Sequence, residues 1–231
     1  MKKSNNFISI LIEKFVKNID KENINLVKFE KWFSNHIKLF KEEEIKKTLA
    51  FSDSSMKKLM EVVNIKQIDS ENKFEELFSY KYNISEKEDF FLKNLIKKNK
   101  LFLYSYNEEQ LKAKFIIPIL NKIDFIFNNV KDWYEYSIQA TVNDVLFKGR
   151  TDFMVADGIK IPEKPYFFIQ EFKHSKSIAD PENQLLAAMI AAIELNKFKN
   201  LFGCYVIGKD WNFLIFKKLK LMNINILFTK D

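Results

Sequence analysis

The chain has 231 residues, 47% of them apolar and 15% aromatic, with a formal net charge of +7. That composition can bury a sizeable core, which excludes a disordered chain. A single cysteine, Cys204, excludes a disulfide scaffold and any Cys-rich zinc or iron–sulfur site, and having only two histidines, His36 and His174, argues against a His-ligated catalytic zinc. No apolar run approaches the length that spans a bilayer. Met1-Lys2-Lys3 opens the chain, but Glu13 and Lys14 break the apolar stretch that follows and no small-residue cleavage site succeeds it. The expectation is a cytoplasmic protein without a membrane partner. The charge permits an anionic partner. Arg150 is the one arginine among 38 basic residues. Lysine acts on phosphates as a point charge, whereas arginine reads guanine edges, so backbone contact is expected over base reading.

All 4 glycines follow residue 148 and all 4 prolines follow residue 117. Residues 1–100 therefore read as a helical N-terminal region, for packing, oligomerisation or nucleic-acid contact. Leu26, Phe29, Trp32, Phe33, Ile37 and Phe40 recur at three- and four-residue steps, the apolar face of a helix. Residues Asp53 to Tyr82 are also read as helical. Ser85-Glu86-Lys87-Glu88 is a capping-box pattern that starts a helix running to about Lys100. Residues 101–231 form the second domain. Asn107-Glu108-Glu109-Gln110 starts a helix capped by Asn107, and Pro118 kinks it or marks its last turns. Trp133 to Val142 and Val145 to Ala156 read as strands joined at Asn143-Asp144, and Tyr166 to Lys173 as a central strand. Asp180-Pro181-Glu182 opens an Ala-rich helix to about Asn196. Gly203 to Ile207 and Trp211 to Phe216 are strands around a turn at Gly208-Lys209-Asp210. The order is helix, three strands, helix, two strands.

The residues able to do chemistry are Gly149-Arg150-Thr151-Asp152, then Gln170-Glu171-Phe172-Lys173, then Gln184. Glu-x-Lys also occurs at Glu44-Ile45-Lys46 and Glu71-Asn72-Lys73, but only the third copy ends an apolar strand. Alternate strand residues share a face, so Glu171 and Lys173 emerge together where a buried face opens. A hairpin with the preceding strand would set Asp152 beside Glu171. Two converging carboxylates make a hard oxygen site for Mg²⁺ or Mn²⁺. The competing reading is an ordinary ion pair between Asp152 and Lys173 at the sheet end. His174 reads as a loop histidine, His36 as structural on its helix, and Cys204 as a small core residue.

The arrangement resembles the PD-(D/E)XK nuclease superfamily over roughly residues 105 to 217, in element order as well as motif. It is also similar to the nuclease region of type I restriction subunits, through Asn107-Glu108-Glu109 followed by Phe115-Ile116-Ile117-Pro118-Ile119-Leu120. The resemblance implies a restriction-endonuclease-like α/β core with a mixed sheet. It matches Asp152, Glu171 and Lys173 to the catalytic set, Gln184 to a glutamine of the next helix, and Glu108, with Glu109 as alternative, to a glutamate of the first. Thr151 stands where the name-giving proline would be. It further implies Mg²⁺ held by Asp152, Glu171 and the main-chain carbonyl of Phe172, with Mn²⁺ able to substitute, and hydrolysis leaving a 5′-phosphate. The expected function is a metal-dependent nuclease, on DNA ahead of RNA, in restriction, defence or repair, as a homodimer or within a larger complex. The alternative is a non-catalytic nucleic-acid-binding or assembly subunit that keeps the fold.

Overall fold

The computed structural model describes residues 47–68, 79, 81–173, 180–196, 199–218 and 223–228. The Leu26 to Phe40 stripe, His36 and His174 lie outside them. Among the described residues, no helix is long and apolar enough to cross a membrane.

The strands are β1 (Lys47–Ala50), β2 (Asn64–Ile68), β3 (Val130–Val142), β4 (Val145–Asp157), β5 (Glu163–Lys173), β6 (Asn200–Ile207), β7 (Asp210–Lys218) and β8 (Asn223–Phe228). The helices are α1 (Met56–Met60), α2 (Glu86–Asn99), α3 (Glu108–Leu111), α4 (Ile117–Leu120) and α5 (Pro181–Asn196), with a π-helical turn at Lys112–Ile116 and a 3₁₀ turn at Phe51–Asp53. One mixed sheet runs β1-β4-β5-β6-β7-β8-β2, and β3 also pairs with β4. The fold is mixed α/β.

Local chemistry explains most boundaries. Ser85 and Glu88 form the reciprocal capping box that starts α2. Asn143 and Asp144 adopt φ of 46° and 61° between β3 and β4. Two successive positive φ values suit a tight hairpin, because that turn twists with its flanking strands. Asp180 accepts the amide of Glu182 at 3.0 Å and sets the first turn of α5. The parallel pairing of β5 with β6 requires a crossover, and α5 supplies it.

Alternation along the strands divides the core. Met154 and Tyr205 join α5 in one apolar cluster, whose α5 members run without a break from Leu185 to Ile193. Phe153, Val155, Cys204 and Val206 join Leu111, Phe115, Ile116 and Leu120 in the other. Helical layers thus cover both faces, and β5 lies between two strands as its apolar sequence requires.

The helical expectation over Asp53 to Tyr82 needs correction. Among the described residues of that span, Met56–Met60 is the α-helical stretch, and Asn64–Ile68 is a strand parallel to β8. Absence of glycine and proline does not by itself choose helix. The β-branched Ile65 pairs with Ile224 of the distant β8 and is buried in one cluster with Ile224 and Ile226. Residues 47–50 and 64–68 are therefore parts of the sheet, and β8 extends the expected order of strands.

Gly149, in β4, lies against the ring of Phe51, which is buried. A Cβ at this position would overlap Cβ, Cγ and Cδ2 of Phe51. Gly149→Ala is expected to lower stability by about 1–3 kcal/mol through overpacking. Thermal denaturation measures it, and Phe51→Leu in the same chain should recover part of the loss.

Candidate functional site

Asn107 begins the site. Its side chain accepts the amide of Gln110 at 2.8 Å, while the Gln110 side chain accepts the amide of Asn107 at 3.1 Å. This box sets Glu108 in the first turn of α3. The following turn is π-helical, with the Ile117 amide donating to the Lys112 carbonyl. Its cause is local. Pro118 has no N–H for the carbonyl four residues back, and its ring crowds that carbonyl, so the helix widens just ahead of it. Lys112 is the first residue of the widened turn.

The second constraint comes from the strands. The β4–β5 ladder ends at Phe153 and Gln170. One step further, Asp152 no longer pairs through its backbone. Its side chain takes over: Oδ2 accepts the Phe172 amide at 2.7 Å. On the other edge, the β3–β4 register omits the pair of Glu135 with Asp152, and Glu135 has a φ of 51°. The inward alternation of β4 changes phase across this level. Val145 and Phe147 precede it and Met154 follows it, yet all three share one cluster.

Lys112 closes the gap. Its Nζ lies 2.7 Å from Asp152 Oδ1, 3.1 Å from Glu135 Oε1 and 3.2 Å from Glu108 Oε1. Lys173 Nζ lies 3.1 Å from the other Glu108 oxygen and 3.3 Å from Glu171 Oε1. Carboxylates and ammonium groups alternate: Asp152, Lys112, Glu108, Lys173, Glu171. Asp152 and Glu171 are both buried. Asp152 thus pairs with Lys112, not with Lys173 as the competing sequence reading had it. Glu109 is largely exposed and only 3.7 Å from Lys112, so Glu108 is the glutamate that reaches the centre.

The remaining candidates are placed as follows. Thr151 is buried, and its hydroxyl donates to the Tyr136 carbonyl at 3.2 Å. The Phe172 side chain is buried in the second cluster. Gln184 lies in the first turn of α5, and its Oε1 is buried without a hydrogen-bond partner among the described residues. No hydrogen bond joins it to the charged group among the described residues. Arg150 is mostly exposed, 3.9 Å from Glu135. Cys204 is buried in the second cluster, as expected.

Lys112 and Glu135 are the site residues that sequence reasoning missed. For Lys112 a signal exists. Lys112 shares the helical face of Phe115, Ile116 and Ile119, at steps of three, four and seven, so it interrupts an apolar stripe. A lysine there needs a buried partner.

The ammonium groups remain charged. Burial pulls Lys112 down, but Asp152, Glu135 and Glu108 outweigh it and hold it above the usual lysine range. Burial likewise opposes Lys173, and Glu171, Asp152 and Glu108 raise it. Burial pushes Glu171 up to about 8, with the Asp152 charge adding to it and Lys173 opposing. The donors are carboxylates, which suit a hard divalent cation such as Mg²⁺ or Mn²⁺. Among the described residues, no three acidic, His or Cys side chains already form a cation site. No protein-family model matches the chain, and no curated protein does.

A raised carboxyl pKa has a defined linkage. The unfolded chain gives up the Glu171 proton near 4.5 and the folded one near 8, so the folded state holds more protons between those values. Stability from this group falls as pH rises through that window. Glu171→Gln, which mimics the protonated form, should melt higher than wild type at about pH 9 and close the gap toward about pH 5. Thermal midpoints across pH check this.

Proposed function

We propose that the chain is a metal-dependent nuclease of the PD-(D/E)XK type, hydrolysing phosphodiester bonds in DNA ahead of RNA, with a restriction-endonuclease-like core. The observation that carries this reading is the meeting of Asp152, Glu171, Lys173 and Glu108 where β4 parts from β5. The order of helix, three strands, helix and two strands over Glu108–Lys218 supports it.

Asp152 and Glu171 would hold Mg²⁺, with the Phe172 carbonyl as the resemblance implies. When bound, such an ion lowers the pKa of a water and offsets negative charge gathering on the phosphate. The protein's own groups do the rest. Lys173 is held between Glu108 and Glu171, so its ammonium is fixed in direction before substrate arrives. A preorganised cation stabilises charge that develops in the transition state without reorganising. Glu108 orients Lys173 and Lys112 from its two oxygens. Exposed lysines elsewhere supply affinity for a polyanion, through release of counterions. The partner is DNA, with a homodimer or a larger defence or repair complex as the setting.

One observation favours a second reading, a non-catalytic nucleic-acid-binding or assembly subunit. Lys112 already neutralises Asp152.

Linear, circular and single-stranded DNA should be cut with Mg²⁺ or Mn²⁺, spared with EDTA, and spared by Asp152→Ala. Lys173→Ala should slow single-turnover cleavage about a hundredfold or more. Its DNA affinity in Ca²⁺ should change by about one unit of salt slope or less. A wild type that binds DNA in a salt-dependent way and cuts no substrate with any metal establishes the second reading instead.

A further inference from the structure

Lys112 has a buried ammonium, its side chain 8% exposed, in a site that the nuclease reading assigns to a divalent cation. An ammonium has three N–H groups. Asp152, Glu135 and Glu108 lie within 2.7, 3.1 and 3.2 Å and can take all three. Both oxygens of Asp152 are engaged as well. Phe172 holds its Oδ2 from the main chain of β5, and Lys112 holds its Oδ1. The Phe172 amide is fixed in a strand. The lysine is the partner on a flexible stem, and so the one that can leave.

The surroundings offer it somewhere to go. Glu135 and Glu109 lie on the solvent side of Lys112, with side chains 49% and 83% exposed against 9% for Asp152. Glu135 sits in the left-handed region at the missing rung opposite Asp152. That conformation is strained for a non-glycine residue, and such strain persists only where the surroundings enforce it. Here it accompanies a carboxylate set within reach of the ammonium.

We infer that Lys112 is a tethered cation that competes with a divalent metal for Asp152, and that Glu135 is the carboxylate to which it withdraws. This rests on the metal-site reading above. With the lysine inward, the buried Asp152 charge is compensated and the fold is stable without metal. With the lysine outward, Asp152 Oδ1 is released to the ion and the ammonium stays paired at the rim. Metal affinity is thereby set by a residue that need not be one of its ligands.

The test is a Mn²⁺ titration of the full chain by calorimetry, read beside thermal midpoints with and without Mn²⁺. Lys112→Met should tighten Mn²⁺ binding by about ten- to a hundredfold, the scale on which groups just outside a metal move its affinity. Its midpoint should rise more with Mn²⁺ than that of wild type. Lys114→Met removes the same charge from an exposed side chain and should move affinity by about twofold or less, because solvent screens it. Glu135→Gln should weaken Mn²⁺ binding in the wild-type chain and lose that effect beside Lys112→Met, since the two act as one unit. Should Lys112→Met fail to fold, wild type carrying ¹⁵N-labelled lysine ammonium groups serves. The slowly exchanging signal of Lys112 should shift as Mg²⁺ binds. Equal Mn²⁺ affinity in wild type and Lys112→Met, or a Lys112 signal unmoved by bound Mg²⁺, overturns the competition and leaves the nuclease reading standing. Failure of wild type and every variant to bind either ion overturns both.

Discussion

A carboxylate withdrawn from water must be answered by donors, and the Asp152 side chain organises its neighbourhood through that requirement. One oxygen is answered by the Phe172 amide beyond the last β4–β5 rung, and the other needs a charge. Lys112 supplies it from across the fold and brings Glu108 and Glu135 with it. Glu108 in turn holds Lys173, and Lys173 holds Glu171. The hierarchy of strengths follows burial. Breaking a buried pair leaves an uncompensated charge and costs about 3–5 kcal/mol. The exposed contact of Arg150 with Glu135 belongs to a class worth about 0–1 kcal/mol. Lys112 with Asp152 therefore carries the arrangement, and Arg150 decorates its rim.

Local chemistry was legible in the sequence, and distant partnership was not. Ser85, Asn107 and Asp180 announced helix starts because a cap acts within a few residues. Asn143-Asp144 announced a hairpin because few residues tolerate two positive φ values in succession. Tyr166 to Lys173 announced a central strand because a run apolar on both faces has few other homes. The strand character of Asn64–Ile68 was hidden, since it depends on β8. So was the change of phase in β4. An alternating pattern read residue by residue assumes one regular strand, whereas here the turn-over occurs against a single residue, Glu135, on the neighbouring one.

The candidate site divides the same way. Glu171 and Lys173 stood out because charge ending an apolar strand is costly. Lys112 did not, because a lysine four residues after a glutamate is the usual form of a surface helical pair. The Glu108–Lys112 contact does exist, at 3.2 Å. It is one edge of a larger buried arrangement rather than a solvated couple. Gln184 matched by position alone, and it makes no hydrogen bond to the charged group among the described residues.

The parallel pairing of β2 with β8 joins an early segment to one of the last strands described. Such a contact closes a very long loop, whose entropy must be met before the pairing repays it. During synthesis β2 emerges long before β8, the strand it pairs with among the described residues, so its ladder stays open until late. The site's inner elements, from α3 to β6, are complete well before that. Assembly of the charged centre and closure of the sheet edge are thus separable in time, and the waiting strand is the part of the nascent chain most open to wrong pairing.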